Sequence, residues 1–145
     1  MTRRRYFEDV AIDEPLGPLV RETSALQLLA YAGASRDYNL IHHDPVFARE
    51  SGLPDTIVQG SLKSAFLGQL ATDWAGHGAV LRQLRVQYRG VDVPGRLLTA
   101  RGRVTGKRVE HDACLVECEV WLESVDGERT TRGAVVVQFP RRAET

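Results

Sequence analysis

Cysteine is scarce in this chain, charge is balanced and long apolar runs are missing. Each absence narrows what the protein can be. Only two cysteines occur in 145 residues, and both fall in the apparent strand ACLVECEVW. Four residues along a strand separate Cα atoms by about 13 Å, at ~3.3 Å per residue, which is beyond the ~7 Å a disulfide spans. Cys114 and Cys118 are therefore expected as reduced core residues on one face. Nineteen basic and nineteen acidic residues cancel. Arg3 to Arg5 make only a short basic run, at a terminus expected to fray. Phosphate affinity needs a clustered excess of positive charge, so nucleic acid is not the expected partner. No apolar stretch approaches the ~20 residues of a membrane span, and MTRRRYFEDV lacks the apolar core of a signal peptide. No membrane partner and a cytoplasmic setting are expected. Repeats, low-complexity tracts and linkers are also missing, so one domain covering residues 1–145 is the expectation at this length.

What is present reads as two halves. Residues 6 to 22 contain Pro15, Gly17 and Pro18, which suits a loose edge strand because proline cannot donate to a ladder. Ser24 followed by Gln27 matches a capping box opening a helix, whose expected apolar face is Leu26, Leu29, Ala30 and Gly33. Continuing that spacing brings Asp37 onto the same face, and an inward carboxylate must have a partner or a task. Asn39 suits the left-handed conformation that ends a helix, and Asp44 followed by Pro45 signals a short helix closed by Gly52. Had the first helix continued, five residues would turn His42 about 140° away from Asp37; a break at Asn39 lets the two side chains converge.

Gly60 precedes SLKSAFLGQLATDWA, a helix apolar around most of its circumference apart from positions such as Lys63 and Asp73, and expected to be buried on several sides. Beyond it, period-two alternation predicts strands. Leu84, Val86 and Tyr88 share one face, as do Leu98, Ala100, Gly102 and Val104, and then Cys114, Val116, Cys118, Val120 and Leu122. GAVVVQF is apolar on both faces. Turn signals separate these runs at Pro94-Gly95, Gly106-Lys107 and Asp126-Gly127. A buried helix followed by an antiparallel meander predicts an α+β domain with a curved sheet wrapped around a long central helix.

The run Asp37-Tyr38-Asn39-Leu40-Ile41-His42-His43-Asp44 resembles the D-x-N-P-[LIV]-H-x-D signature of the MaoC-like, or hydratase 2, family of (R)-specific enoyl-thioester hydratases. IVQGSL, residues 57 to 62, resembles that family's IVHGML. The resemblance follows the element order of the whole chain, with about 35 residues carrying specific motif. It implies a hotdog fold and a homodimer or a heteromer with another hotdog subunit. It also implies Asp37 and His42 as a catalytic dyad, and Asn39, Gly60 and Ser61 as substrate-binding positions with the Gly60 amide as oxyanion donor. The implied substrate is an acyl-CoA or acyl-carrier-protein thioester, with neither metal nor cofactor. Water adds at C3 and a proton at C2, which asks for a group that holds and deprotonates water; an N–H at a helix start is placed to meet charge on the thioester oxygen. Which member of the dyad is base stays open.

Three positions depart from the pattern: Leu40 for proline, Gln59 for histidine and Ser61 for methionine. Thr72-Asp73-Trp74-Ala75-Gly76 resembles a run in hotdog hydratase subunits of bacterial steroid side-chain degradation, which implies a bulky substrate; packing and capping are the competing reading of Asp73 and Trp74. Asp37 alone also reads as a turn cap. His42, His43 and Asp44 as a metal site is disfavoured, since adjacent histidines in an extended segment point apart, and His77 and His111 are expected in solvent. Arg82, Arg85, Arg89, Arg101, Arg103, Lys107 and Arg108 either meet the phosphates of a thioester carrier or form ordinary ion pairs. Rival functions are an acyl-thioester hydrolase on the same fold and a supporting subunit that completes a partner's pocket.

Overall fold

The structure is a computed structural model describing residues 4–143; Arg3 lies outside that range. Three helices, α1 (Ala25–Ser35), α2 (Pro45–Glu50) and α3 (Gly60–Ala75), combine with five strands, β1 (Pro15–Glu22), β2 (Val80–Tyr88), β3 (Leu97–Glu110), β4 (Ala113–Glu123) and β5 (Arg129–Phe139). All strands are antiparallel, in the order β1-β3-β4-β5-β2. β3, β4 and β5 form a meander as predicted. The strand that follows α3 instead crosses to the far edge and pairs with β5.

One helix accounts for the curvature. Five strands spaced ~4.8 Å apart span about 19 Å, wider than a helix of ~10–12 Å diameter, yet α3 touches every strand including both edges. The sheet therefore wraps it. Leu62, Phe66, Leu67, Leu70, Ala71 and Ala75 bury against Ala100, Val104, Val116, Cys118, Val120, Leu122, Val135 and Val137. Period-two alternation in β3 and β4 is borne out, and both cysteines are free and buried. Burial pushes the Cys118 thiol up to about 12, with help from nearby Glu14 and Glu117.

Burial of the long helix on several sides is as expected, and its open side is a stripe of Ser61, Ala65, Gln69 and Thr72 at i, i+4, i+8 and i+11. Several expectations are corrected. The buried positions of α1 are Leu28 and Ala32, whereas Leu26 and Leu29 are 75% and 54% exposed. Leu28 and Ala32 are four residues apart, so the helix rests on a narrow seam one position round from the predicted face. The basic run is not frayed at Arg5, whose guanidinium reaches Glu14 Oε1 at 2.7 Å and lies 5.0 Å from the Trp74 ring centroid. Among the described residues, no helix is long and apolar enough to cross a membrane. β1 is the expected edge strand, irregular between Leu16 and Leu19 where the Gly17-Pro18 bond is cis.

Candidate active site

The chain leaves α1 earlier than the sequence suggests. Arg36, at φ 57°, takes the left-handed cap, while Asn39 is extended at φ −62° and ψ 124°. Asn39 has a different local task. Its Oδ1 accepts from the Ile41 amide at 3.2 Å and caps a 3₁₀ turn over Leu40–His42. Leu40 sits at the first position of that turn, so the turn closes here without a proline. Asp44 then caps α2, accepting at 3.0 Å from both Val46 and Phe47 amides.

These two consecutive caps bring the predicted pair together. His42 is buried and Asp37 half-buried, with Nε2 and Oδ2 3.4 Å apart. Asp37 has left the helix, so its placement comes from the turn and not from a buried helix face: its Oδ1 accepts from the Asn39 amide at 3.4 Å. The other imidazole nitrogen fixes the ring's chemistry. Nδ1 lies 2.7 Å from the carbonyl oxygen of Ile57, and a carbonyl only accepts, so Nδ1 carries hydrogen. In the neutral ring Nε2 is then a lone pair facing a carboxylate. Such a pair is favourable only with a proton between the two atoms or a group that donates to both, and water is such a group.

The segment Ile57-Val58-Gln59-Gly60 links the pair to α3. Ile57 N donates to Ile41 O at 3.1 Å, Val58 N to Asp92 O at 2.8 Å, and Gln59 Nε2 to Leu28 O at 2.8 Å. The buried Gln59 at the expected histidine position thus ties this segment to α1. Gly60 is the first residue of α3, and Gln59 supplies no side-chain cap. The first amides of a helix have no intrahelical acceptor, which leaves the Gly60 N–H available. A β-carbon on Gly60 would lie 2.9 Å from Cζ of Tyr88. The missing side chain therefore makes room for this ring, whose hydroxyl is 2.5 Å from Ser64 Oγ. Ser61 is exposed beside it.

A cleft of about 460 Å³ opens at His42, with Leu26, Leu29, Pro45, Thr56 and Pro94 among its walls. The apolar side chains that α1 leaves exposed form one side of it. Asp37, Gly60 and Ser61 do not line this cleft. Three residues around the site escaped the sequence reading. Tyr88 was visible only as the last apolar position of a strand, Asp92 carried no signal, and Lys63 stood out only as a charge on an apolar helix.

The remaining candidates separate by place. Asp73 and Trp74 lie 13 and 14 residues along α3 from Gly60, about 20 Å at ~1.5 Å per residue. Trp74 donates to Glu14 Oε1 at 2.9 Å and meets Phe139 edge-on at 5.4 Å, so packing accounts for it. His77 and His111 are exposed. Arg101, Arg103 and Arg108 pair with Glu123, Glu119 and Glu117, and Lys107 donates to the carbonyls of Phe7 and Val10. Arg82 and Arg89 instead meet the neutral side chains of Gln138 and Gln87.

Comparison with known proteins bears on the fold and the family. The chain is 27% identical over 123 residues to the (R)-specific enoyl-CoA hydratase of Aeromonas caviae, covering 84% of this chain and 90% of that protein. It is 30% identical over 114 residues to the fatty acid synthase beta subunit hexB of Dothistroma septosporum, covering 77% of this chain but only 6% of that much longer protein. The solved (R)-hydratase from A. caviae involved in PHA biosynthesis superposes with TM-score 0.81 at 25% identity, covering 92% and 99% of the two chains. The ChsH1-ChsH2 complex from Mycobacterium tuberculosis also gives TM-score 0.81, at 21% identity over 90% of this chain and 98% of that one. The shared backbone arrangement is the hotdog fold. Residues 9–125 match the family described as MaoC like domain, and since this is most of the chain, the protein belongs to that hydratase and dehydratase family.

Proposed function

We propose that the protein is an (R)-specific hydratase of trans-2-enoyl thioesters, carried by CoA or an acyl carrier protein, with the reverse dehydration as the same reaction run backward. The observation that carries this reading is the His42 ring: Nδ1 is committed to the Ile57 carbonyl and Nε2 is aimed at the Asp37 carboxylate 3.4 Å away. A water held between them gives one proton to the dyad as its oxygen bonds C3, and the dyad passes that proton to C2 from the same side. The thioester oxygen, which gains charge, meets the Gly60 N–H at the positive end of α3. Leu26 and Leu29 wall the entry for the acyl chain, and Asn39 holds Asp37 in place. Addition of water is redox-neutral and all its atoms come from the alkene, water and these side chains, so the reaction requires no cofactor.

Two features support a partner subunit. β2 is an edge strand of nine residues without proline, exposed at six of them, whereas the opposite edge is blunted by Pro15 and Pro18; such an edge invites pairing. The exposed stripe of α3 begins at Ser61, beside Gly60, so a partner seated there closes the thioester site. We assign this role to a second hotdog subunit, identical or related. Two reduced, buried thiols suit a cytoplasmic setting.

The test follows crotonyl-CoA by loss of its enoyl absorbance, with the product oxidised by a dehydrogenase specific for (3R)-hydroxyacyl-CoA. Hydration to the (3R) alcohol is the expected result. Release of free CoA thiol without hydration identifies a hydrolase, and turnover only after a second hotdog protein is added identifies a supporting subunit.

A further inference from the structure

The one buried ion pair on α3 among the described residues takes no part in the chemistry above, yet it grips the chain on either side of the segment that joins the two halves of the site. Lys63 and Asp92 are 3% and 5% exposed. Lys63 Nζ donates to Asp92 Oδ2 at 2.9 Å and to the Gly90 carbonyl at 3.0 Å, and Thr130 Oγ1 donates to the same Oδ2 at 2.6 Å. Burying two charges is costly, and hydrophobic replacements are often no less stable, so such a pair is weak evidence of a role in stability. Its position suggests another role.

Asp92 grips the chain twice. Its carbonyl accepts the Val58 amide at 2.8 Å, and its carboxylate holds Lys63. Between those two points lie Gln59 and Gly60, and directly before them is Ile57, whose carbonyl dictates the tautomer of His42. One residue in the β2–β3 connection therefore fixes both ends of the segment that orients the imidazole and presents the Gly60 amide. Thr130, at the start of β5, ties the clamp to the sheet: besides its hydroxyl bond, its carbonyl accepts the amides of Arg89 and Gly90.

We propose that Lys63, Asp92 and Thr130 are positioning residues, a buried clamp that sets the direction of the Ile57 carbonyl and the Gly60 amide together, and so couples the proton-handling group to the oxyanion donor. Its effect on turnover rests on the hydratase reading; its effect on His42 does not.

The experiment therefore reads both. Histidine-labelled protein is observed by long-range proton–nitrogen NMR, which distinguishes ring tautomers, alongside kcat and KM for crotonyl-CoA, in wild type, Lys63→Met and Thr130→Val. In wild type His42 is expected as the Nδ1–H tautomer. In folded Lys63→Met its population moves toward the Nε2–H form, and kcat falls about 10- to 100-fold through misplacement while KM changes by no more than about twofold. Thr130→Val, which removes one hydroxyl and leaves the ion pair, gives a smaller change in the same direction, and it decides the matter if Lys63→Met does not fold. A folded variant with the wild-type tautomer and wild-type kcat overturns the clamp. Absence of hydration by wild type with the tautomer shift intact removes only the hydratase reading.

Discussion

Gly60 and Tyr88 carry the tightest steric constraint at the site. The only space for a β-carbon on Gly60 is occupied by the Tyr88 ring at 2.9 Å. Tyr88 is 51% exposed, so Gly60→Ala is expected to push its ring aside and break its bond to Ser64, lowering stability by about 0.5–1.5 kcal/mol, and to reduce turnover by moving the first amide of α3. In a Tyr88→Ala background the same Gly60→Ala change is expected to cost little; thermal melts of the two single variants and the double variant measure the coupling. Gly60 was legible in the sequence from its motif, but its steric reason was not, because Tyr88 comes from a strand 28 residues later. Asp37 and His42 were legible as a pair for a cause that proved different in detail. The helix ends at Arg36 and not at Asn39, and the convergence comes from an Asn cap followed by an Asp cap. Each cap is a short-range signal, whereas the partner of Nδ1, the Ile57 carbonyl, comes from a separate loop and leaves no trace in side-chain pattern.

At the scale of elements, α1 shows how an apolar stripe can serve something other than the core. Periodicity identifies a helix with Leu26 and Leu29 on one face, but it cannot say whether that face meets the core or a cleft. Here Leu28 and Ala32 meet the core, and the predicted face borders the cleft at His42. Leu29→Trp is expected to narrow that entry, lowering kcat/KM about tenfold for octenoyl-CoA and less for crotonyl-CoA; a chain-length series checks it. The β1 edge is anchored by Glu14, which receives hydrogen bonds from Trp74, Ala11 and Arg5. Burial alone pushes its carboxyl up, but those three donors outweigh burial and hold it below the usual carboxylate range. A carboxyl depressed in the folded state contributes stability that is complete above its unfolded pKa and is lost as pH falls through the folded value. Glu14→Gln is therefore expected to lower the melting temperature at neutral pH and to flatten its dependence in the acid range.

At the scale of the molecule, alternation and the long apolar helix were enough to read an α+β domain with a sheet around one helix. Strand order was not, since β2 continues from α3 in sequence but pairs with β5 across the sheet. The uncovered β2 edge and the open stripe of α3 are long-range consequences of that crossover, and they carry the expectation of a partner subunit. Light scattering of the purified protein is expected to give twice the mass of one chain, 16.1 kDa, or a single-chain mass that doubles when the related subunit is added. The central claim is that Asp37 and His42 together move the proton of an adding water. Its most direct test is kcat/KM for crotonyl-CoA hydration in wild type, Asp37→Asn and His42→Gln, each confirmed folded. The account predicts a loss of about 10²- to 10⁴-fold in each variant, the usual share of general acid–base catalysis; turnover unchanged in either one contradicts it.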